Sequence, residues 1–155
     1  MTLAIDCSTC VRWVALGMVL AGPAGCDNGS DDGGGEPPAC IELDEMTSCT
    51  PLYDPTYANV FAQTIQPRCG VSGSACHATA DAMGAAGGFV VGDAASTHAA
   101  LLDGGFVVPS DPSCSEVVVR AEIDDDVLRM PPGSSALPEG ERCAVAQWIR
   151  EGAMP

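Results

Sequence analysis

Apolar residues in this chain recur at helical spacing in four places, and the stretches between them are rich in glycine and proline. In "DPTYANVFAQTIQ", Tyr57, Val60, Phe61 and Ile65 fall on one side of a helix, with Asp54 as the expected N-cap and Pro55 at the first helical position. "DAASTHAALL" repeats the pattern behind a cap at Asp93, and places His98 with Ala95, Leu101 and Leu102 at the edge of a core. "DPSCSEVVVRA" reuses the Asp-Pro opening at Asp111 and Pro112, then sets Cys114, Val117, Val118 and Ala121 at helical intervals. The Val117–Val119 run favours a strand by propensity, but the cap and the period favour a helix. "PEGERCAVAQWIREGA" starts at Pro138 and turns Val145, Trp148, Ile149 and Gly152 inward. "GGFVVG" and "GGFVVPS" read as short extended links bounded by glycine. The pattern predicts a mainly α fold of about four short helices with long loops, wrapped around something, because seven aromatic residues make a thin core.

The N-terminal quarter follows another pattern. Residues 13–25, "WVALGMVLAGPAG", form an unbroken apolar run too short to cross a bilayer and closed by small residues, the shape of a secretory leader. It ends in "LAGPAGC", which resembles the lipobox of bacterial lipoproteins, and this marks Cys26 as the lipidated residue. The alternative is an ordinary leader cut nearby, with Cys26 left as a plain thiol. "DNGSDDGGGEPP" then offers nothing to bury and reads as a leash. The expected organisation is a lipoprotein signal peptide at 1–25, a flexible acidic linker at 26–39 and a folded domain at 40–155, exported and lipid-anchored at the periplasm or the outer surface.

Charge narrows the function. The net charge is −15 and there is no lysine, so a basic face for nucleic acid or for anionic lipid is missing. Of nine cysteines, Cys7 and Cys10 fall in the leader and Cys26 goes to lipid, which leaves six. An even number in a small exported domain points to pairing. Cys114 and Cys143 lie on the inward sides of two helices and are expected to bridge, while Cys40 and Cys49 would close a smaller loop. Spacing alone allows fifteen connectivities.

The chemistry concentrates in "CGVSGSACH", where Cys69 and Cys76 stand six residues apart and His77 follows directly. Together with "GGFVVGDAASTHAALL", "VVPSDPSCSEVVVR", "MPPG" and the closing "CAVAQWIREGA", this order resembles the small c-type cytochrome domains of the planctomycete-type cytochrome c group, which occur on exported bacterial lipoproteins. The resemblance spans residues 57 to 153. It implies a cytochrome c-like bundle and a haem c joined by thioethers to Cys69 and Cys76. His77 would be one axial iron ligand and the Met130 thioether the other, a pairing that raises the potential. It further implies an electron carrier working with a redox partner protein, rather than an enzyme. The chain departs from the family pattern in one respect: the family separates the two cysteines by two residues, and the longer "GVSGSA" loop gives up pre-organisation.

Other readings of the same residues stay open. Cys69 and Cys76 could form a disulfide in a haemless, stapled envelope lipoprotein that acts as a binding or structural module. Cys69, Cys76 and His77 could hold zinc, although the spacing is longer than zinc sites use and an oxidising compartment disfavours zinc thiolates. His98 could replace Met130 as an axial ligand, and Met130 could be a core gap-filler. No G-x-S-x-G, H-E-x-x-H or phosphate-binding glycine loop is present, and the acid runs "GSDDGGGE" and "IDDDVL" lack the ligand spacing of a calcium loop.

Overall fold

A computed structural model describes residues 36–43, 48–72, 76–133 and 136–155. All of them fall within one compact unit, Asp32–Pro155. The leader, Cys7, Cys10, the lipidation candidate Cys26 and most of the leash lie outside the described residues.

Four helices carry the fold, and the described residues contain no strand. The first, α1, covers Tyr57–Val60 and continues without a break into wide π-type turns over Phe61–Cys69. Its N-cap is Thr56 rather than the expected Asp54. The extended Thr56 accepts the Asn59 amide on its hydroxyl at 3.4 Å, while the Asp54 carbonyl takes the Thr56 amide at 2.8 Å and the Asn59 side chain at 3.0 Å. The Asp-Pro pair therefore forms the turn before the helix. In the wide turns the Gly70 amide reaches back five residues to the Ile65 carbonyl at 3.1 Å, and Pro67 within them has no amide to donate.

Helix α2, Ala94–Asp103, opens as expected, with Asp93 accepting the Ser96 amide at 2.9 Å. Helix α3 covers only Glu116–Glu122, so Asp111–Pro112 again precede the helix. The Asp111 carboxylate accepts the Cys114 amide and the Ser113 hydroxyl, and the fully buried Ser115 ties the turn to the Val108 amide at 2.9 Å. The Val117–Val119 run is helical because Val118 and Val119 bury their branches in the interior, where packing overrides propensity. Helix α4, Glu139–Arg150, presents Cys143, Ala144, Val145, Ala146, Trp148 and Ile149 to the interior.

The core gathers these faces around Tyr57, whose ring lies 5.3 Å from Trp148 and 4.6 Å from His98 and whose hydroxyl donates to the Ala94 carbonyl at 2.6 Å. Val60, Leu101 and Ile149 are fully buried beside it. Each such side chain contributes about 1.5–3 kcal/mol by leaving water. "GGFVVG" and "GGFVVPS" are extended but unpaired, apart from single bonds such as Val107 N–H to the Leu101 carbonyl at 3.0 Å.

All four candidate cysteines are bridged, but not in the expected pairs: Cys40 joins Cys114, and Cys49 joins Cys143. The reason is the course of the N-terminal segment across α4 and the turn before α3. Ile41 N–H binds the Ser113 carbonyl, Leu52 N–H binds the Gly140 carbonyl, and Leu43 and Cys49 pack on Cys143 and Ala146. The bridges close 74- and 94-residue separations instead of the local loops that spacing favoured. Among the described residues no helix is long and apolar enough to cross a membrane.

Candidate functional site

The wide turns after α1 end at Cys69, so this segment sets where the first thiol points. The chain then loops back, and His77 N–H binds the Cys69 carbonyl at 2.9 Å, which brings the two ends of the nonapeptide together. Val91 N–H in turn binds the His77 carbonyl at 2.8 Å. The His77 ring is fixed twice. It packs 5.0 Å from the Phe89 ring, and its Nδ1 lies 3.0 Å from the Phe89 carbonyl oxygen. A carbonyl can only accept, so Nδ1 carries the proton and Nε2 keeps a free lone pair. A metal-ligating imidazole is commonly oriented this way.

Met130 approaches from the loop after α3. Asp125 organises that loop by accepting the Val127 and Leu128 amides at 2.8 and 2.9 Å. Arg120 closes it, its carbonyl accepting the Met130 amide at 2.8 Å and its guanidinium donating to the Leu128 carbonyl. The Met130–Pro131 peptide bond is cis.

These pieces meet in one cleft. Cys69, Cys76, His77 and Met130 all line it, and Ile65, Val117, Val118 and Val145 form its apolar wall. An adjoining space of about 280 Å³ shares Cys69, His77, Val117 and Met130 and extends to Phe89 and Phe106. Cys69 and Cys76 are free thiols in a molecule whose other four described cysteines are paired. Burial pushes the Cys69 thiol up to about 11, and the neighbouring Cys76 and Glu141 act in the same direction. Two open thiols, an imidazole with a free Nε2 and a thioether around an apolar space fit a covalently held haem.

The other sequence-level candidates do not converge there. His98 lines neither space, and its Nε2 is engaged with the Ala153 carbonyl at 2.8 Å. Among the described residues no three His, Cys, Asp or Glu side chains, Cys69, Cys76 and His77 included, form a group that could hold a metal ion.

The sequence reading missed the charged wall. Glu141 is buried and accepts from Arg68 at 2.7 and 3.3 Å and from the Thr64 hydroxyl at 3.2 Å, and Tyr53 bonds Thr64 behind it. Glu122 pairs with Arg142, and both line the cleft. A signal existed for Glu141, because it stands four residues before Val145 and seven before Trp148 on the inward face of α4. Nothing comparable marked Glu122.

A family model described as Planctomycete cytochrome C matches residues 74–134. Residues 74–134 are thus similar to a planctomycete-type cytochrome c-like domain. The match contains Cys76, His77 and Met130, three of the four residues that meet in the cleft, and it begins after Cys69. The matched stretch thus holds the second thiol and both candidate iron ligands, while Cys69 lies outside it. No curated protein and no solved structure matches the chain.

Proposed function

We propose that the domain is a one-electron carrier in which Cys69 and Cys76 would fasten a haem c and His77 and Met130 would hold its iron. The convergence of two free thiols, an oriented imidazole and a thioether on one apolar cleft carries this reading. The matched family favours an electron carrier over an enzyme.

Each side chain has a distinct task. Cys69 and Cys76 fasten the group to the chain, and the Phe89 carbonyl holds His77 in the tautomer that offers Nε2. Met130 offers its sulfur from a loop pinned at Arg120 and Asp125. Val117, Val118 and Val145 keep water from the wall of the cleft. The bound haem would supply the one-electron couple, with a potential set by axial ligands and burial. A leader at 1–25 and a lipidated Cys26 would place the domain in the cell envelope on a tether, within reach of a redox partner protein. The chain carries net charge −15, which favours a basic partner.

Expression in a host with haem-attachment machinery tests this reading. The purified, reduced protein should show the sharp visible bands of a low-spin c-type haem that organic extraction does not remove. A folded but colourless product from that host would leave a disulfide-stapled envelope module as the better description.

A further inference from the structure

Within the apolar cleft one carboxylate is incompletely satisfied. Glu122, at the end of α3, gives one oxygen to Arg142, while its other oxygen, Oε1, is buried and has no hydrogen-bond partner; Arg142 Nε is buried and unpartnered as well. Both side chains line the same space as Met130 and His77. An ionised carboxylate with an undonated buried oxygen is costly, and a proton on that oxygen removes the charge.

We infer that Glu122 is the proton-linked group of the electron carrier, taking up one proton when the centre is reduced and releasing it on oxidation. The inference rests on the electron-carrier reading above. Reduction adds one electron, delivered by a one-electron donor protein, and so one negative charge to the cleft. One proton drawn from water onto Glu122 Oε1 cancels it, and charge and atoms balance.

The surroundings of Glu122 leave it as the group free to respond. Across from it on α4, Arg142 favours the ionised form, but burial outweighs it and Glu139 acts with burial, holding the carboxyl above the ordinary glutamate range. Arg68, from the wide turns, lines the same space but is committed to Glu141. Arg120, on α3 itself, is bonded to Glu116 at 2.6 Å, and Arg129 in the Met130 loop pairs with Asp124 and Asp126. Reduction strengthens the hold on the proton, so the potential should fall as pH rises between the oxidised-state and reduced-state midpoints of Glu122.

The test is a redox titration of the mature, haem-loaded chain at pH steps from about 4.5 to 8. The wild-type potential should fall with pH, approaching about 59 mV per unit at full one-to-one coupling. Glu122→Gln, which keeps the shape and removes the titration, should give a flat line with unchanged absorption bands. A flat wild-type line, or the same slope in Glu122→Gln, overturns the inference. Carboxyl-carbon NMR of wild-type protein provides a readout that needs no variant. The Glu122 midpoint should lie above that of free glutamate in haem-free protein and rise further on reduction, and equal midpoints in the two redox states also overturn it. Colourless material would defeat the carrier reading and this inference together, whereas coloured material with a pH-independent potential would defeat this inference alone.

Discussion

On the α3–α4 side of the cleft, two disulfides fasten Cys114 and Cys143 to the N-terminal segment, and α4 buries an unbroken inner face from Cys143 to Ile149. On the His77 side, the chain from Cys76 to Val91 is held by single backbone bonds such as His77 N–H to the Cys69 carbonyl, and the two cysteines there stay unjoined. One wall is a frame that needs no cofactor. The other leaves Cys69, Cys76 and His77 open to the cleft, where the proposed haem would complete it. Substitutions on the frame should therefore act on stability, and those on the His77 and Met130 side on spectrum and potential.

The sharpest way to break this contrast is to open a staple. Replacing Cys49 and Cys143 together by serine frees a loop closed over a separation of 94 residues. Because Cys40–Cys114 stays closed, the effective loop is about 40 residues, and the chain-entropy model puts the loss at about 4 kcal/mol, readable as a lower urea midpoint in haem-free protein. An unchanged midpoint would mean that the frame does not depend on its bridges. Next in size is Ile149→Ala, at a fully buried position of α4, which should cost about 3 kcal/mol by transfer and cavity formation.

A smaller effect is expected from Tyr57→Phe, which removes the bond to the Ala94 carbonyl and about 1 kcal/mol. This substitution also carries a pH signature. Burial, aided by the Asp93 charge, pushes the Tyr57 hydroxyl from 10.0 up to about 12. The folded state therefore keeps its proton after the unfolded chain has lost it. Wild-type stability should be intact below pH 10 and decline as pH rises toward 12, while Tyr57→Phe lacks this component.

Smallest in stability should be Met130→Ala, under about 1 kcal/mol in haem-free protein because the residue lines a cleft rather than filling the core. In haem-loaded protein the same change should lower the potential and alter the iron spectrum. An unaltered spectrum would remove Met130 from the ligand set.

How much of this was legible depended on the range of the physics involved. The Asp93 cap, the inward face of α4 and the helical state of Val117–Val119 follow from local period and capping, and all three appear in the structure. Capping read from Asp-Pro pairs failed twice, at Asp54 and Asp111, because both pairs form turns that precede their helices and Thr56 and Ser115 occupy the N-cap positions. The wide turns from Phe61 to Cys69 left no trace in apolar spacing, since widening changes the backbone ladder and not the residue types. The disulfide partners depend on how residues 40–53 cross α4, a long-range fact that spacing does not encode. In the site, Cys69, Cys76, His77 and Met130 were recognisable as a set because they form a motif and its complement. Glu122 and Arg142 were not, because twenty residues separate them and only packing gives them a common wall.

The most direct test of the central claim is the intact mass of the mature protein, followed by peptide mapping around residues 69–77. The account predicts the chain mass plus one haem, with the increment on a peptide containing Cys69, Cys76 and His77 and no reagent-accessible thiol at either cysteine. A mass without that increment, and a peptide in which Cys69 is linked to Cys76, would contradict it.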